Sequence, residues 1–167
     1  MMFILIVICL CQCKSVRHGE KEVNVIRKEF LDSVKKNSDT TYTKPYRNNE
    51  FVFADYYINR KDSTLCQVMR DSASHVRQVI ITRKSSRVFT AEYYSNGQLK
   101  ALLPLDSDGK FDGLSKSYYE NGCLKSKGAY YHGFYSGRWE QYNIDGDITR
   151  VEEYDRNGQL IRLDNKE

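Results

Sequence analysis

Tyr118-Tyr119-Glu120-Asn121-Gly122-Cys123-Leu124 is one copy of a turn signature that returns along the second half of the chain. Close copies are Tyr93-Tyr94-Ser95-Asn96-Gly97-Gln98-Leu99, Tyr142-Asn143-Ile144-Asp145-Gly146-Asp147-Ile148 and Tyr154-Asp155-Arg156-Asn157-Gly158-Gln159-Leu160. Weaker copies centre on Gly109 and on His132-Gly133. The glycines Gly97, Gly109, Gly122, Gly133, Gly146 and Gly158 are spaced 12, 13, 11, 13 and 12 residues apart. Such a period outranks other sequence signals, because it fixes the architecture.

Asn-Gly and Asp-Gly between β-forming runs signal hairpins, and the type I′ turn they favour needs positive φ at both central residues. Twelve residues make one strand and one turn at about 3.3 Å per residue. Alternate turns then fall on opposite edges of a sheet, with Gly97, Gly122 and Gly146 on one and Gly109, Gly133 and Gly158 on the other. Second glycines, Gly113 and Gly137, follow Gly109 and Gly133 by four residues. The period extends backwards through polar breaks at residues 59–62, 70–73 and 83–86, between aromatic and β-branched runs. The prediction is an all-β fold: a single-layer antiparallel up-and-down meander of about ten strands over residues 51–163. Gly122, at its centre, is expected to tolerate substitution less well than Gly158 near its end, since repeat arrays are held by nearest-neighbour contacts.

The pattern Tyr-Tyr-Glu-Asn-Gly-x-Leu-Lys, then x-Gly-x-x-x-Gly with Trp139 two residues on, resembles the bacterial MORN-repeat variant, including chains of the YwqK antitoxin type. Tyr118–Lys125 and Gly133–Tyr142 carry it best. Ser115 stands where the pattern has Trp. The resemblance implies a repeat sheet used as a protein-binding or lipid-binding scaffold.

The rest of the chain reads differently. Residues 1–13 carry no charge and are nearly all apolar to Cys11. This stretch is too short to span a bilayer, which needs about 20 residues, and has the length of a signal-peptide apolar core. Cysteine closing such a run resembles a lipoprotein signal. Cys13 fits by position and Cys11 is the alternative, so a membrane link through a lipid anchor is expected. A plain secretory signal is the other reading. Residues 14–50 are polar; Val23, Ile26, Phe30, Leu31 and Val34 suggest an amphipathic helix over about residues 20–36, although Val23–Ile26 also suits a strand. Residues 37–50 read as a loop broken by Pro45. Cys66 and Cys123, 57 residues apart, are expected to be separate buried thiols.

Candidate chemistry is thin. Asp106, Asp108 and Asp112 lack the glycine and glutamate positions of a calcium loop. His18, His75 and His132 have no metal-ligand spacing in sequence, so no metal and no cofactor is expected. Recurrent Glu92, Glu120, Glu140, Glu152 and Glu153 follow the repeat, which accounts for their spacing without glycosidase chemistry. With 26 basic and 22 acidic residues, a net charge of +4 gives no concentrated basic stripe for nucleic acid. The chain is read as non-enzymatic, without a small-molecule substrate. What remains is the aromatic set, 13% of the residues. Tyr93, Tyr118, Tyr142 and Tyr154 are expected to cement the sheet with Leu99, Leu124 and Leu160. Tyr94, Tyr119, Trp139 and Tyr135 are the candidate exposed anchors for a protein partner. The preferred setting is the bacterial cell envelope, membrane-anchored or periplasmic. The alternative is a cytoplasmic antitoxin or immunity protein.

Overall fold

The computed structural model describes residues 28–46 and 51–166. Helix α1 (Lys28–Asn37) leads into eleven strands: β1 (Thr40–Pro45), β2 (Phe53–Asn59), β3 (Thr64–Arg70), β4 (Val76–Arg83), β5 (Ser86–Tyr93), β6 (Leu99–Pro104), β7 (Gly113–Tyr118), β8 (Leu124–Tyr131), β9 (Phe134–Tyr142), β10 (Ile148–Tyr154) and β11 (Leu160–Asn165). They form one antiparallel sheet in chain order, each strand beside its predecessor. The meander expected over residues 51–163 corresponds to β2–β11. The expected loop over residues 37–50 is corrected by β1, a polar edge strand that pairs with β2 from Thr40↔Ile58 to Pro45↔Phe53. Its threonines carry no apolar period, so main-chain pairing rather than burial holds it. The predicted helix is observed from Lys28; its expected start, the alternative strand at Val23–Ile26 and the lipid-site cysteines Cys11 and Cys13 lie outside the described residues.

One row of directly opposed residues crosses the whole sheet: Thr43, Asp55, Val68, Val79, Ala91, Leu102, Lys116, Lys127, Glu140, Val151 and Asp164. Its apolar stretch, Val68 to Leu102, forms the main core with Tyr57, Cys66 and Tyr93, and Leu31 and Val34 of α1 pack onto it. A smaller cluster, Ala54, Met69 and Ile80, is buried with Tyr46, Phe51 and Tyr56 against it. Cys66 is a buried free thiol whose pKa burial pushes up to about 12. Cys123 is also buried but is disulfide-bonded, so the expectation of a second free thiol is corrected.

The turns sit on the edges the period assigns, but with different chemistry. At Tyr94–Gln98 and Tyr119–Cys123 the first residue's N–H donates to the carbonyl of the fifth, and the glycine N–H donates back to the first residue's carbonyl. Gly97 and Gly122 have φ of 84° and 85°, whereas the asparagines before them are not at positive φ. These are three-residue loops closed by a left-handed glycine, not the expected type I′ turns. The asparagine serves through its side chain: Asn96 Oδ1 accepts from Gln98 N at 2.9 Å and Asn121 Oδ1 from Cys123 N at 3.0 Å. Two consecutive positive-φ residues occur instead at Lys84-Ser85 and His132-Gly133.

Candidate functional site

Successive repeats are fastened together along the Gly97–Gly122–Gly146 edge. The Tyr94 hydroxyl donates to the Tyr118 carbonyl at 2.9 Å, and the Tyr119 hydroxyl to the Tyr142 carbonyl at 2.7 Å. The Asn96 side-chain amide donates to the Glu120 carbonyl at 2.9 Å. The third copy places Asn143 where the tyrosine stood, and its side chain accepts from Asp145 N and Asp147 N within its own loop. Tyr94 and Tyr119 are therefore half-buried bolts between repeats, a role the sequence period hinted at by repeating them.

Trp139 and Tyr135 are brought together on β9. Trp139 is 8% exposed, not an exposed anchor as expected. Its indole lies flat over Gly128 of β8, where a Cβ would overlap the ring, and its N–H donates to the Ala129 carbonyl at 2.9 Å. Glycine within a strand marks such a close approach; this signal was present in Lys127-Gly128-Ala129 and was missed. Tyr130 and Tyr135 abut the indole edge-on at 5.0 and 4.6 Å between ring centres. Phe111 continues the cluster from Tyr130, and Tyr154 from Tyr135, each at 5.1 Å. Tyr135 remains 43% exposed on top of this packing.

Beside the rings lies an open groove of about 410 Å³, lined by Tyr135, Trp139 and Tyr154 together with Lys125, Arg150 and Glu152. Arg150 ion-pairs with Glu152, and Gln141 donates to the second Glu152 oxygen at 3.2 Å. Lys125 Nζ also stands 5.6 Å over the Tyr119 ring, which links that tyrosine to the groove. Of the four candidate anchors, Tyr135 and Trp139 line the groove, Tyr119 adjoins it, and Tyr94 is not among its lining residues.

Glu140 and Tyr142 point to the opposite face, by strand alternation. Burial alone would raise the Glu140 pKa, but hydrogen bonds from Tyr142, Arg138 and Lys127 outweigh it and hold the carboxyl at about 2.

Among the described residues, Asp106, Asp112 and His132 have ligand atoms within 4.8 Å of one another. The histidine is 26 positions from Asp106, so sequence spacing concealed the group. It works as a lock between turns. His132 Nδ1 is 2.8 Å from Asp106 Oδ2, the His132 N–H donates to Asp112 Oδ2, and Asp106 Oδ1 accepts from Asp108 N and Lys110 N. The His132 contact, before the main-chain amides, lowers the Asp106 pKa.

No curated protein matches the chain. Among solved structures, TarM is 9% identical with a TM-score of 0.35, over 62% of this chain and 22% of that one. Accessory secretory protein 1, 2 and 3 of Streptococcus pneumoniae is 11% identical with a TM-score of 0.35, over 78% and 23%. The chain thus spans less than a quarter of either. The informative match covers one hairpin: residues 111–132, which hold β7, the Tyr119–Cys123 turn and β8, fit the family of the MORN repeat variant, and the chain carries a MORN repeat there.

Proposed function

We propose that the chain is a non-enzymatic interaction module whose partner, a protein segment, docks on the groove of β8–β10. The observation that carries this reading is Tyr135, exposed over a buried Trp139 in a groove that Lys125, Arg150 and Glu152 also line. A ring held rigid from below with charges at its rim is the arrangement of an interface anchor. The Glu152 carboxylate, opposite Trp139, is engaged by Arg150 and Gln141, which supports binding rather than acid–base chemistry. The setting belongs to the same proposal: a bacterial envelope protein of the YwqK-like kind, lipid-anchored through one of its N-terminal cysteines.

Photo-crosslinking tests the surface. A photoreactive side chain at position 135 should give a protein adduct in cells, while the same group at Arg60, on a turn of the other half, should not. Equal adducts at both positions would overturn the reading. Fractionation tests the setting. Cys13→Ser together with Cys11→Ser should release the protein from membranes and abolish labelling by a palmitate analogue. A wild-type chain found wholly in the cytosol would favour the antitoxin reading instead.

A further inference from the structure

Among the described residues both margins of the sheet lack a further strand, and the two are built differently. β1 ends in Lys44-Pro45, with the lysine 5.1 Å over the Tyr42 ring. A lysine and a proline are the usual means of blunting an edge. β11, Leu160-Ile161-Arg162-Leu163-Asp164-Asn165, has neither. Its Leu160, Ile161 and Leu163 are 43%, 63% and 44% exposed.

The orientation of β11 is fixed by its inner neighbour. Lys166 N–H donates to Thr149 O at 2.9 Å, in phase with Val151↔Asp164 and Glu153↔Arg162. Hydrogen-bonded pairs alternate along an antiparallel ladder. Arg162 and Asp164 therefore turn their main-chain groups inward to β10, and Leu163 and Asn165 turn theirs outward. A second strand that meets this edge antiparallel with Leu163 at the centre forms a hydrogen-bonded Leu163–Leu163 pair. In that register Arg162 of each strand lies opposite Asp164 of the other. Those are non-hydrogen-bonded positions, where side chains come closest. The sequence is thus self-complementary about Leu163 in both apolar and charged residues. The two charges already attract within one strand, Arg162 to Asp164 at 2.8 Å, with Arg162 exposed and Asp164 half-buried.

We propose that β11 is a homodimerisation edge: two copies of this chain join β11 to β11 about a two-fold axis through Leu163, turning two 11-stranded sheets into one continuous sheet. A two-fold perpendicular to the sheet keeps corresponding faces on the same side. Leu163 is opposite Glu152, which lines the aromatic groove, so the dimer presents two grooves on one face. The register shift between Glu153 and Tyr154 interrupts the pairing near Ile161 and keeps the self-complementary run short.

The test is the mass of the full chain in solution, by light scattering across a dilution series, with melting temperatures recorded on each variant. Wild type should reach a dimer mass and no more. Asp164→Arg sets Arg162 of each strand against the arginine introduced on the other, so two like-charge pairs replace two ion pairs. It should weaken dimerisation by roughly tenfold to a hundredfold. Arg162→Asp should do the same. The double variant Arg162→Asp/Asp164→Arg restores both pairs with signs exchanged and should recover the dimer. A wild type that stays monomeric, or grows beyond a dimer through β11–β1 contacts, overturns the proposal. So does a dimer indifferent to the single reversals, or a folded double variant that stays monomeric.

Discussion

The row of opposed residues that crosses the sheet divides the molecule in two. From Val68 to Leu102 it is aliphatic and lies with Tyr57 and Tyr93 under helix α1. From Lys116 to Asp164 it is mostly charged, and the load passes to the other face, where Trp139 sits on Gly128 among stacked tyrosines. A single layer has no second sheet to close over it. The N-terminal half solves this with an added helix. The C-terminal half solves it with large amphipathic rings that cover the sheet from their own strands, the Trp139 indole donating to a main-chain carbonyl. The helix is a single addition; of the rings, Tyr94 and Tyr119 recur with the repeat, whereas Trp139 occurs once.

Substitutions in the two halves should separate these solutions, with hydrogen exchange reporting where each acts. The largest loss is expected at the indole. Trp139→Ala should cost about 3–5 kcal/mol, and Gly128→Ala, which evicts the ring, about 3 kcal/mol. Because both act on one contact, the double variant should cost far less than their sum in thermal melts. Exchange should rise in β8–β10 while β3–β5 stay protected. Uniform loss of protection would show that the halves do not melt separately.

Val68→Ala is the counterpart under the helix and should cost about 2–3 kcal/mol, with the opposite exchange pattern. Acid should weaken the C-terminal half through Glu140. The Glu140 carboxyl is held at about 2 against a reference of 4.5, so its contribution is full above pH 4.5 and is lost as the pH falls toward 2. On the order of 2 kcal/mol should disappear over that window in denaturant titrations of wild type, and the loss in Glu140→Gln should be smaller by about that amount.

The glycines test whether position in the array or local space decides. Both Gly122 and Gly158 have positive φ. A Cβ on Gly158 would meet Phe134 Cβ at 2.9 Å, whereas on Gly122 it meets only the end of Gln98 at 3.2 Å. Gly158→Ala should therefore cost more than Gly122→Ala, by about 1 kcal/mol, which reverses the order expected from centrality alone. The smallest effect is expected at Tyr119→Phe, about 1 kcal/mol from the lost bond to the Tyr142 carbonyl.

The repeat was legible because turn glycines at a fixed interval leave few foldings open, and ten strands followed from it. β1 was not legible: its threonines and proline have no buried face to impose a period. Turn type was misread because Asn-Gly serves two loop lengths, and only the glycine φ is common to both. At the candidate site the aromatic residues were visible, but their exposure was not. That depended on Gly128, a glycine outside the period, which admits the indole to the strand surface. The Asp106–Asp112–His132 lock was hidden because two turns meet only after the sheet has stacked them.

Consecutive pairing in one layer also sets how the molecule bears tension. β1 and β11 lie at opposite margins, ten strand spacings or roughly 48 Å apart. A pull between an anchor at one margin and a partner at the other runs across the strands, along the hydrogen bonds. Such a load opens a ladder bond by bond instead of shearing all its bonds at once. The hairpins should peel off singly at low force, so the array would act as an extensible tether, lengthening in hairpin-sized steps of about 24 residues and shortening again when released.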